Sequence, residues 1–213
     1  MEGTFDRGKT RQNRAEAEAV LEELKRRCHD PELSQYSVGV VTFNISQQNL
    51  IDDLLTEACG ADPTLEQWAY GTEEPVFIKN LENVQGDERD VILFSVAFGP
   101  DAEGKLSLNF GPLNKNGGWK RLNVAVTRAR SEMMVFTTMT ADQIDLKRTK
   151  ARGGEALKDF LAFAQNGRLQ GGYQDTRVQE DQRMMEHICQ AIADGGYTYQ
   201  KAVGHSKFKI DID

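Results

Sequence analysis

Apolar positions along this chain recur at two spacings. From Asn13 to Arg27 the spacing is helical: Ala17, Val20, Leu21 and Leu24 fall on one face, and Glu16, Glu18, Glu22, Glu23, Lys25 and Arg26 occupy the rest. Asn13 is placed as an N-cap, and Glu16 at N3 closes a capping-box-like pair. The run Val38-Gly39-Val40-Val41-Thr42-Phe43 is short, apolar and β-branched, and predicts a buried strand. A helix is predicted from about Ser46, its cap, to Ala58, with Leu50, Ile51, Leu54 and Leu55 inward. Strand then helix at this spacing is one βα unit of a parallel sheet. Residues 60–75 hold Gly60, Pro63, Gly71 and Pro75 and predict a polar connection anchored by Trp68 and Tyr70.

Further along, Val76-Phe77-Ile78 predicts another strand. Val91 to Ala97 is nearly all apolar, as befits a central strand covered on both faces. Residues 98–118 are rich in glycine and proline. They predict an irregular excursion with one short strand, where Leu106, Leu108 and Phe110 alternate with Ser107 and Asn109. Ser131 to Thr138 predicts the next buried strand, with its methionines in the core. A helix over Gly153 to Gln165 ends before Gly167, and Gly167 to Gln174 reads as a linker. A last amphipathic helix, roughly Val178 to Ala193, precedes two strands of a hairpin at Tyr197 to Gly204 and Phe208 to Asp213. No internal repeat is visible.

Composition bounds the picture. The 213 residues allow one good-sized domain plus a smaller piece, and 39% hydrophobic with 28% charged residues fits a soluble globular protein. A formal charge of −7 argues against a surface coated with cations, but leaves room for a local cationic groove. Cys28, Cys59 and Cys189 are scattered, with no Cys-x-x-Cys, and read as reduced thiols of a cytoplasmic protein without structural zinc. No apolar run approaches a membrane span and the N-terminus has no signal-peptide core, so no membrane partner is expected. Oligomeric state is not legible.

Positive charge collects from Trp119 to Arg130, which holds Lys120, Arg121, Arg128 and Arg130; no acid occurs between Glu103 and Glu132. Leu122, Ala125, Val126 and Ala129 include pairs three and four apart, predicting a helix with one buried stripe. Arg121, Arg128 and Arg130 then project away from the stripe, and Asn123 and Thr127 share a face. By charge pattern alone this is a solvated basic face.

The string from Arg121 to Arg130, Arg-Leu-Asn-Val-Ala-Val-Thr-Arg-Ala-Arg, says more. It closely resembles motif VI of superfamily-1 helicases, especially the branch that includes the RNA-surveillance and Dna2-like enzymes, with a single apolar swap at Val126. The resemblance implies that Arg128 is the arginine finger reaching the γ-phosphate of ATP, with Arg121 and Arg130 beside it and Asn123 and Thr127 toward nucleic acid. A guanidinium is always charged, planar and forked, so it can spread over phosphoryl oxygens as charge develops.

Three other segments follow the order of that family. Asn13-Arg14-Ala15-Glu16-Ala17 matches the segment that opens the second motor domain, and by resemblance Arg14 is a second γ-phosphate contact. The strand ending at Thr42 resembles motif IV; Thr42 and Gln47 match as nucleic-acid contacts, whereas Phe43 and Asn44 replace a Pro-Tyr pair. Gln85-Gly86-Asp87-Glu88-Arg89-Asp90 resembles motif V, with Gln85 and Glu88 between the nucleotide cleft and the nucleic-acid groove and Gly86 for a close turn. Lys105, Lys115 and Lys120 read either as solvated lysines or as lining for the strand's path.

The implied fold is α/β: a RecA-like parallel sheet with helices on both faces over residues 1–150, a helix and linker over 151–175, and a truncated α+β piece over 176–213. ATP and Mg²⁺ are then bound jointly with a first RecA-like domain, because no Gly-x-x-x-x-Gly-Lys-Ser/Thr loop occurs in this chain. The expected partner is nucleic acid, with single-stranded DNA favoured, and the fragment alone is expected to hydrolyse essentially no ATP. The tail, Val203-Gly204-His205-Ser206-Lys207-Phe208-Lys209-Ile210-Asp211, resembles the opening of a very-short-patch-repair or restriction-endonuclease-like domain. There Asp211 would be a metal-binding acid, with Glu186 a weaker candidate. His205 and Ser206 point to opposite faces of a strand and are set aside as a base–nucleophile pair. Two rivals remain: a RecA-like docking or nucleic-acid-binding module with no motor activity, and a helicase–nuclease fusion.

Overall fold

The computed structural model describes residues 1–149 and 151–167, together with 201–203 and 210–212. The chain divides into two units, Met1–Gln170 and Gly171–Asp213.

In the first unit the elements run α1 (Arg14–His29), β1 (Val38–Thr42), α2 (Ile45–Ala61), α3 (Pro63–Tyr70), β2 (Phe77–Asn80), β3 (Arg89–Ser95), α4 (Gly118–Val126), β4 (Ala129–Phe136) and α5 (Arg152–Asn166). The four strands are all parallel, in the order β2-β1-β3-β4. Alternation along β1 and β3 sorts their side chains to two cores. Val38, Val40, Val91 and Leu93 pack with α1, α2 and α3 through Val20, Leu24, Ile51, Leu55 and Leu65. Val41, Ile92 and Phe94 pack on the other face with Leu122 and Ala125 of α4 and Leu157 and Leu161 of α5. This is the predicted α/β sheet with helices on both faces.

The path changes direction between β1 and β3. The chain leaves β1 through α2 on one face and leaves β3 through Phe98, Phe110 and Leu113 on the other. Such a switch point leaves a crevice at the carboxyl ends of the two strands.

Several local expectations are revised. Asn44, not Ser46, caps α2: its side chain accepts from the Gln47 N–H at 2.8 Å. The connection over 60–75 contains a helix, α3, capped by Asp62 and begun by Pro63. There the Asp62 side chain accepts two amides, and a proline at N1 gives up only an N–H that has no intrahelical partner. Trp68 does anchor this region, donating from Nε1 to the Ser34 carbonyl at 2.9 Å, but Tyr70 is exposed. In the 98–118 excursion the predicted strand is reduced to one antiparallel bridge, Pro100 with Leu106. The motif VI helix ends at Val126, so Ala129 and Arg130 belong to β4. β4 is the last strand of the sheet, and its Arg130, Ser131 and Glu132 are exposed rather than buried.

In the second unit, β5 (Lys201–Val203) pairs antiparallel with β6 (Ile210–Ile212), with Lys201 opposite Ile212 and Val203 opposite Ile210. The predicted hairpin strands are therefore present in part. The predicted helix over 178–193 lies outside the described residues.

Candidate functional site

Arg128 occupies the tight turn between α4 and β4. Thr127 N–H donates to the Asn123 carbonyl and Arg128 N–H to the Ala125 carbonyl, each at 3.2 Å. The Arg128 guanidinium is held entirely by neutral acceptors. Its Nε donates to the Val124 carbonyl at 2.8 Å, Nη2 to Thr127 Oγ1 at 3.0 Å and Nη1 to the Asp87 carbonyl at 3.5 Å. Among the described residues no salt bridge includes Arg128. The side chain is oriented while its charge stays uncompensated, which is what an anionic ligand requires.

The loop before β3 meets this turn. Leu81 and Val84 are buried beneath it, while Gln85 and Gly86 are exposed above. Gly86 has φ +94°, and a Cβ there would meet nothing within 4 Å, so backbone conformation and not space calls for glycine. The Asp87 carboxylate takes the Lys79 ammonium at 2.6 Å, and Arg89 N–H donates to the Arg128 carbonyl at 3.2 Å. The motif V and motif VI segments are thus hydrogen-bonded to each other at the amino ends of β3 and β4.

Arg130, expected beside Arg128 at ATP, is occupied differently. It binds Glu74 at 2.8 and 3.0 Å, Glu88 at 3.1 Å and Asp90 at 3.5 Å. Its hydrogen bonds to the Glu74 and Glu88 carboxylates raise its pKa further above the ordinary arginine value. With three carboxylates around it, Arg130 is a clamp across the sheet's lower edge, and Glu88 is one of its partners. Arg121 is half-buried in α4, and its Nη1 is buried with no hydrogen-bond partner among the described residues. Asn123 and Thr127 are exposed, but the Thr127 hydroxyl is spent on the Val124 carbonyl at 3.0 Å and on Arg128.

Arg14 lies elsewhere. The start of α1 is fixed near the carboxyl ends of the strands, where Asn13 Nδ2 donates to Thr138 Oγ1 at 2.7 Å. The eight residues of β4 separate this end from Arg128, about 23 Å at the rise of a strand. Arg14 is exposed and paired with Glu18 at 2.7 Å. Arg14 and Arg128 thus stand at opposite ends of β4.

Thr42 and Gln47, expected at a nucleic-acid surface, are fully buried. Gln47 Oε1 accepts the Asn13 N–H at 2.8 Å, and its Nε2 donates to the Asn13 carbonyl at 2.9 Å and to Ser95 Oγ at 3.2 Å. Thr42 Oγ1 donates to the Asn44 carbonyl at 3.0 Å. Both side chains join loops inside the protein. Glu16 completes the network. Its carboxylate accepts the Ala97 N–H at 2.7 Å, Ser95 Oγ at 2.9 Å, and the Thr138 N–H and Asn13 Nδ2, each at 3.1 Å. The capping box is half formed: Asn13 caps, but its own N–H goes to Gln47, freeing Glu16 to tie α1 to β3 and to Thr138. The Asn-x-x-Glu spacing concealed this role, because it is satisfied equally by a local cap.

A family model for an AAA domain matches residues 2–140. The chain belongs to this AAA-domain family. It is also similar to two curated mycoplasma proteins. One, named "Uncharacterized ATP-dependent helicase MG140 homolog", from Mycoplasma pneumoniae, is 34% identical over 158 residues, covering 72% of this chain and 14% of that protein. The other, named "Uncharacterized ATP-dependent helicase MG140", from Mycoplasma genitalium, is 33% identical over 162 residues, 74% of this chain and 14% of that protein. The chain thus spans about one seventh of the length of these relatives.

The matched AAA domain holds the Arg128 turn, the Gly86 loop and the Glu16 network; α5 lies beyond it. Lys105, Lys115 and Lys120 are exposed, Lys120 standing 5.8 Å from the Trp119 ring centroid and Arg152 4.1 Å from it on a cation–π contact. Among the described residues no group of three or more His, Cys, Asp or Glu is arranged to hold a metal ion, and no helix is long and apolar enough to cross a membrane. Asp211 lies in β6, and Glu186 falls outside the described residues.

Proposed function

We propose that this AAA domain is the second RecA-like motor domain of a superfamily-1 helicase, in which Arg128 is the arginine finger of a shared ATP site. The observation that carries the reading is the uncompensated Arg128 guanidinium, oriented by three neutral acceptors beside the Gly86 turn. The names of the two mycoplasma relatives support it.

The residues present fit a phosphate and not a metal. Arg128 offers N–H donors to phosphoryl oxygens, whereas the acids around this turn are taken up by Arg130 and Lys79. Mg²⁺ would accordingly be held by the first RecA-like domain, where it would neutralise phosphate charge. This domain's part is electrostatic. When the two lobes close, Arg128 meets charge that builds on the transferring phosphoryl group, and when they open, the nucleic-acid strand can advance. The chain alone hydrolyses essentially no ATP on this reading, for want of a phosphate-binding loop.

The test is nucleic-acid-stimulated ATPase activity of the complete parent protein, wild type against Arg128→Ala and Arg128→Lys. An arginine finger contributes about 10³–10⁵ in rate, and lysine cannot reproduce its fork, so both variants should collapse. Near-normal turnover by Arg128→Lys would sink the finger assignment. A RecA-like module without motor activity is the reading left if the parent never turns over ATP. Metal-dependent cleavage lost in Asp211→Ala would add the nuclease-like activity of the tail.

A further inference from the structure

A second cationic site lies at the opposite end of the sheet from Arg128. A cavity of about 270 Å³ opens at the crevice between the carboxyl ends of β1 and β3, lined by Arg7, Arg11, Asn44, Phe5 and Phe98 among others. Asn44 follows β1 directly and Phe98 lies just beyond β3. Both arginines stand on a closed loop, in which Asp6 N–H donates to the Gln12 carbonyl at 2.9 Å and Arg11 N–H to the Asp6 carbonyl at 2.7 Å. Phe5 N–H to the Pro100 carbonyl, at 2.9 Å, and Gln12 Nε2 to the Ser46 carbonyl, at 3.1 Å, fasten the loop over the crevice.

Three features call for a ligand. Among the described residues neither guanidinium has a hydrogen bond or a salt bridge; Asp6 is turned to Thr10, accepting its N–H at 3.2 Å and its hydroxyl at 3.0 Å, and Asp101 and Glu103, which line an adjoining cavity with Arg7, make no ion pair with it. Asn44 Nδ2 is buried without an acceptor. Arg11 adopts φ +58°, a strained conformation for a side chain of its size, and such outliers gather at binding sites. The aromatic walls, Phe5 and Phe98, are buried against each other with centroids 5.2 Å apart, so they shape the cavity and leave no free face for a base to stack on.

We propose that Arg7 and Arg11 hold the phosphodiester backbone of a single nucleic-acid strand across the β1/β3 crevice, without reading its bases. The inference rests on the motor-domain reading for the identity of the strand. It also places the strand where Thr42 and Gln47, being buried, cannot meet it. Ser107 and Asn109 also line the cavity, but their side-chain oxygens already accept backbone N–H groups, Ser107 Oγ from Asn109 and Asn109 Oδ1 from Gly111; two unpaired guanidiniums with no free aromatic face favour phosphate over base.

Fluorescence anisotropy of the full chain with a labelled oligothymidylate, over a range of salt, tests this. The variant is Arg7→Gln with Arg11→Asn, asparagine being chosen because it tolerates the left-handed backbone; Arg7→Lys alone is the charge-retaining control. Losing two phosphate contacts should weaken binding about tenfold or more at physiological salt and flatten the log–log salt dependence by about 1.4, roughly 0.7 for each contact on a single strand. Thermal melting should be little changed, and Arg7→Lys should bind nearly as wild type. A double variant with unchanged affinity and slope overturns the arginine loop and leaves the motor reading standing. A wild-type chain that binds no single strand at all counts against both.

Discussion

Glu16 Oε2 accepts the backbone N–H of Ala97 at 2.7 Å, joining the first turn of α1 to the residues just past β3. Ala97 sits at φ +64°, a conformation alanine holds only under constraint, and Glu16 supplies part of that constraint. The carboxyl is buried, which pushes its pKa up to about 7 against the hydrogen bonds of Ala97, Ser95 and Thr138 that pull it down. The folded protein therefore holds this proton more tightly than the unfolded chain. The resulting stabilisation is full below the ordinary value of 4.5 and is lost as pH rises through about 7. That loss amounts to roughly 3 kcal/mol. In Glu16→Gln the amide NH₂ faces backbone donors and leaves one unsatisfied, at a cost of about 1–3 kcal/mol. The variant should be less stable than wild type near pH 5 and equal to it or better near pH 8. Urea unfolding at both pH values measures this. A stability difference that stays constant between them would show that Glu16 does not titrate in this window.

Thr127 gives the Arg128 hypothesis a test that spares Arg128 itself. Its hydroxyl accepts from Arg128 Nη2 at 3.0 Å while donating to the Val124 carbonyl at 3.0 Å. Thr127→Val keeps the branched shape and removes the acceptor. Because Thr127 is exposed, stability should move by no more than about 0.5 kcal/mol. A guanidinium that loses its orientation should cost the parent's ATPase about tenfold or more. Steady-state kinetics should place the loss in kcat rather than KM. Full activity in Thr127→Val would mean that the Val124 and Asp87 carbonyls suffice to position Arg128.

Arg130 and Arg128 are two residues apart and should behave in opposite ways. Arg130→Ala releases Glu74, Glu88 and Asp90 to repel one another at the lower edge of the sheet. The expected result is a lower melting temperature that is most evident at low salt, since exposed charges are screened as salt rises. Arg128→Ala should melt close to wild type. Differential scanning fluorimetry of the two variants across salt concentrations distinguishes them, and a salt-independent loss in Arg130→Ala would refute the clamp.

These contrasts mark where the sequence was informative. The parallel sheet was legible because β1 and β3 are apolar on both faces and α1, α2 and α5 have a clear helical stripe. α3 was missed although its signal was present, in Asp62 followed by Pro63 and an apolar residue at Leu65; glycines and prolines nearby outweighed it. Arg128 was singled out through a string match, but its separation from Arg14 depends on which way α1 runs against the strands, and no local pattern carries that. Gln47 shows the same limit. A polar residue in the first turn of a helix reads as surface, and only the packing of α1 against α2 turns it into a buried clamp. Arg130 was read as helical because its spacing continues the stripe of α4; the turn at Thr127 moves it into a strand and onto a different set of partners.

Gly153 and Gly60 make the last contrast, since both lie inside helices yet should respond oppositely to alanine. In an exposed helix interior, glycine is worse than alanine by about 0.5–1 kcal/mol because its backbone loses more freedom on folding. At Gly60, in the last turn of α2, an added Cβ would meet nothing within 4 Å. Gly60→Ala should accordingly stabilise by about that amount. At Gly153, in the first turn of α5, a Cβ would collide with the Leu113 carbonyl, and Gly118 at the start of α4 presses on the same oxygen from its own side. The relevant neighbour is backbone and cannot rotate away, so α4 and α5 must part for the methyl to fit. Gly153→Ala should destabilise by about 1–3 kcal/mol, the usual cost of overpacking, and this outweighs the helix gain. Gly118→Ala should do the same. Chemical denaturation of the three single variants is sufficient. A stabilised Gly153→Ala would mean that α5 is free to shift on Leu113, and the close approach of α4 and α5 would then not be a fixed part of the fold.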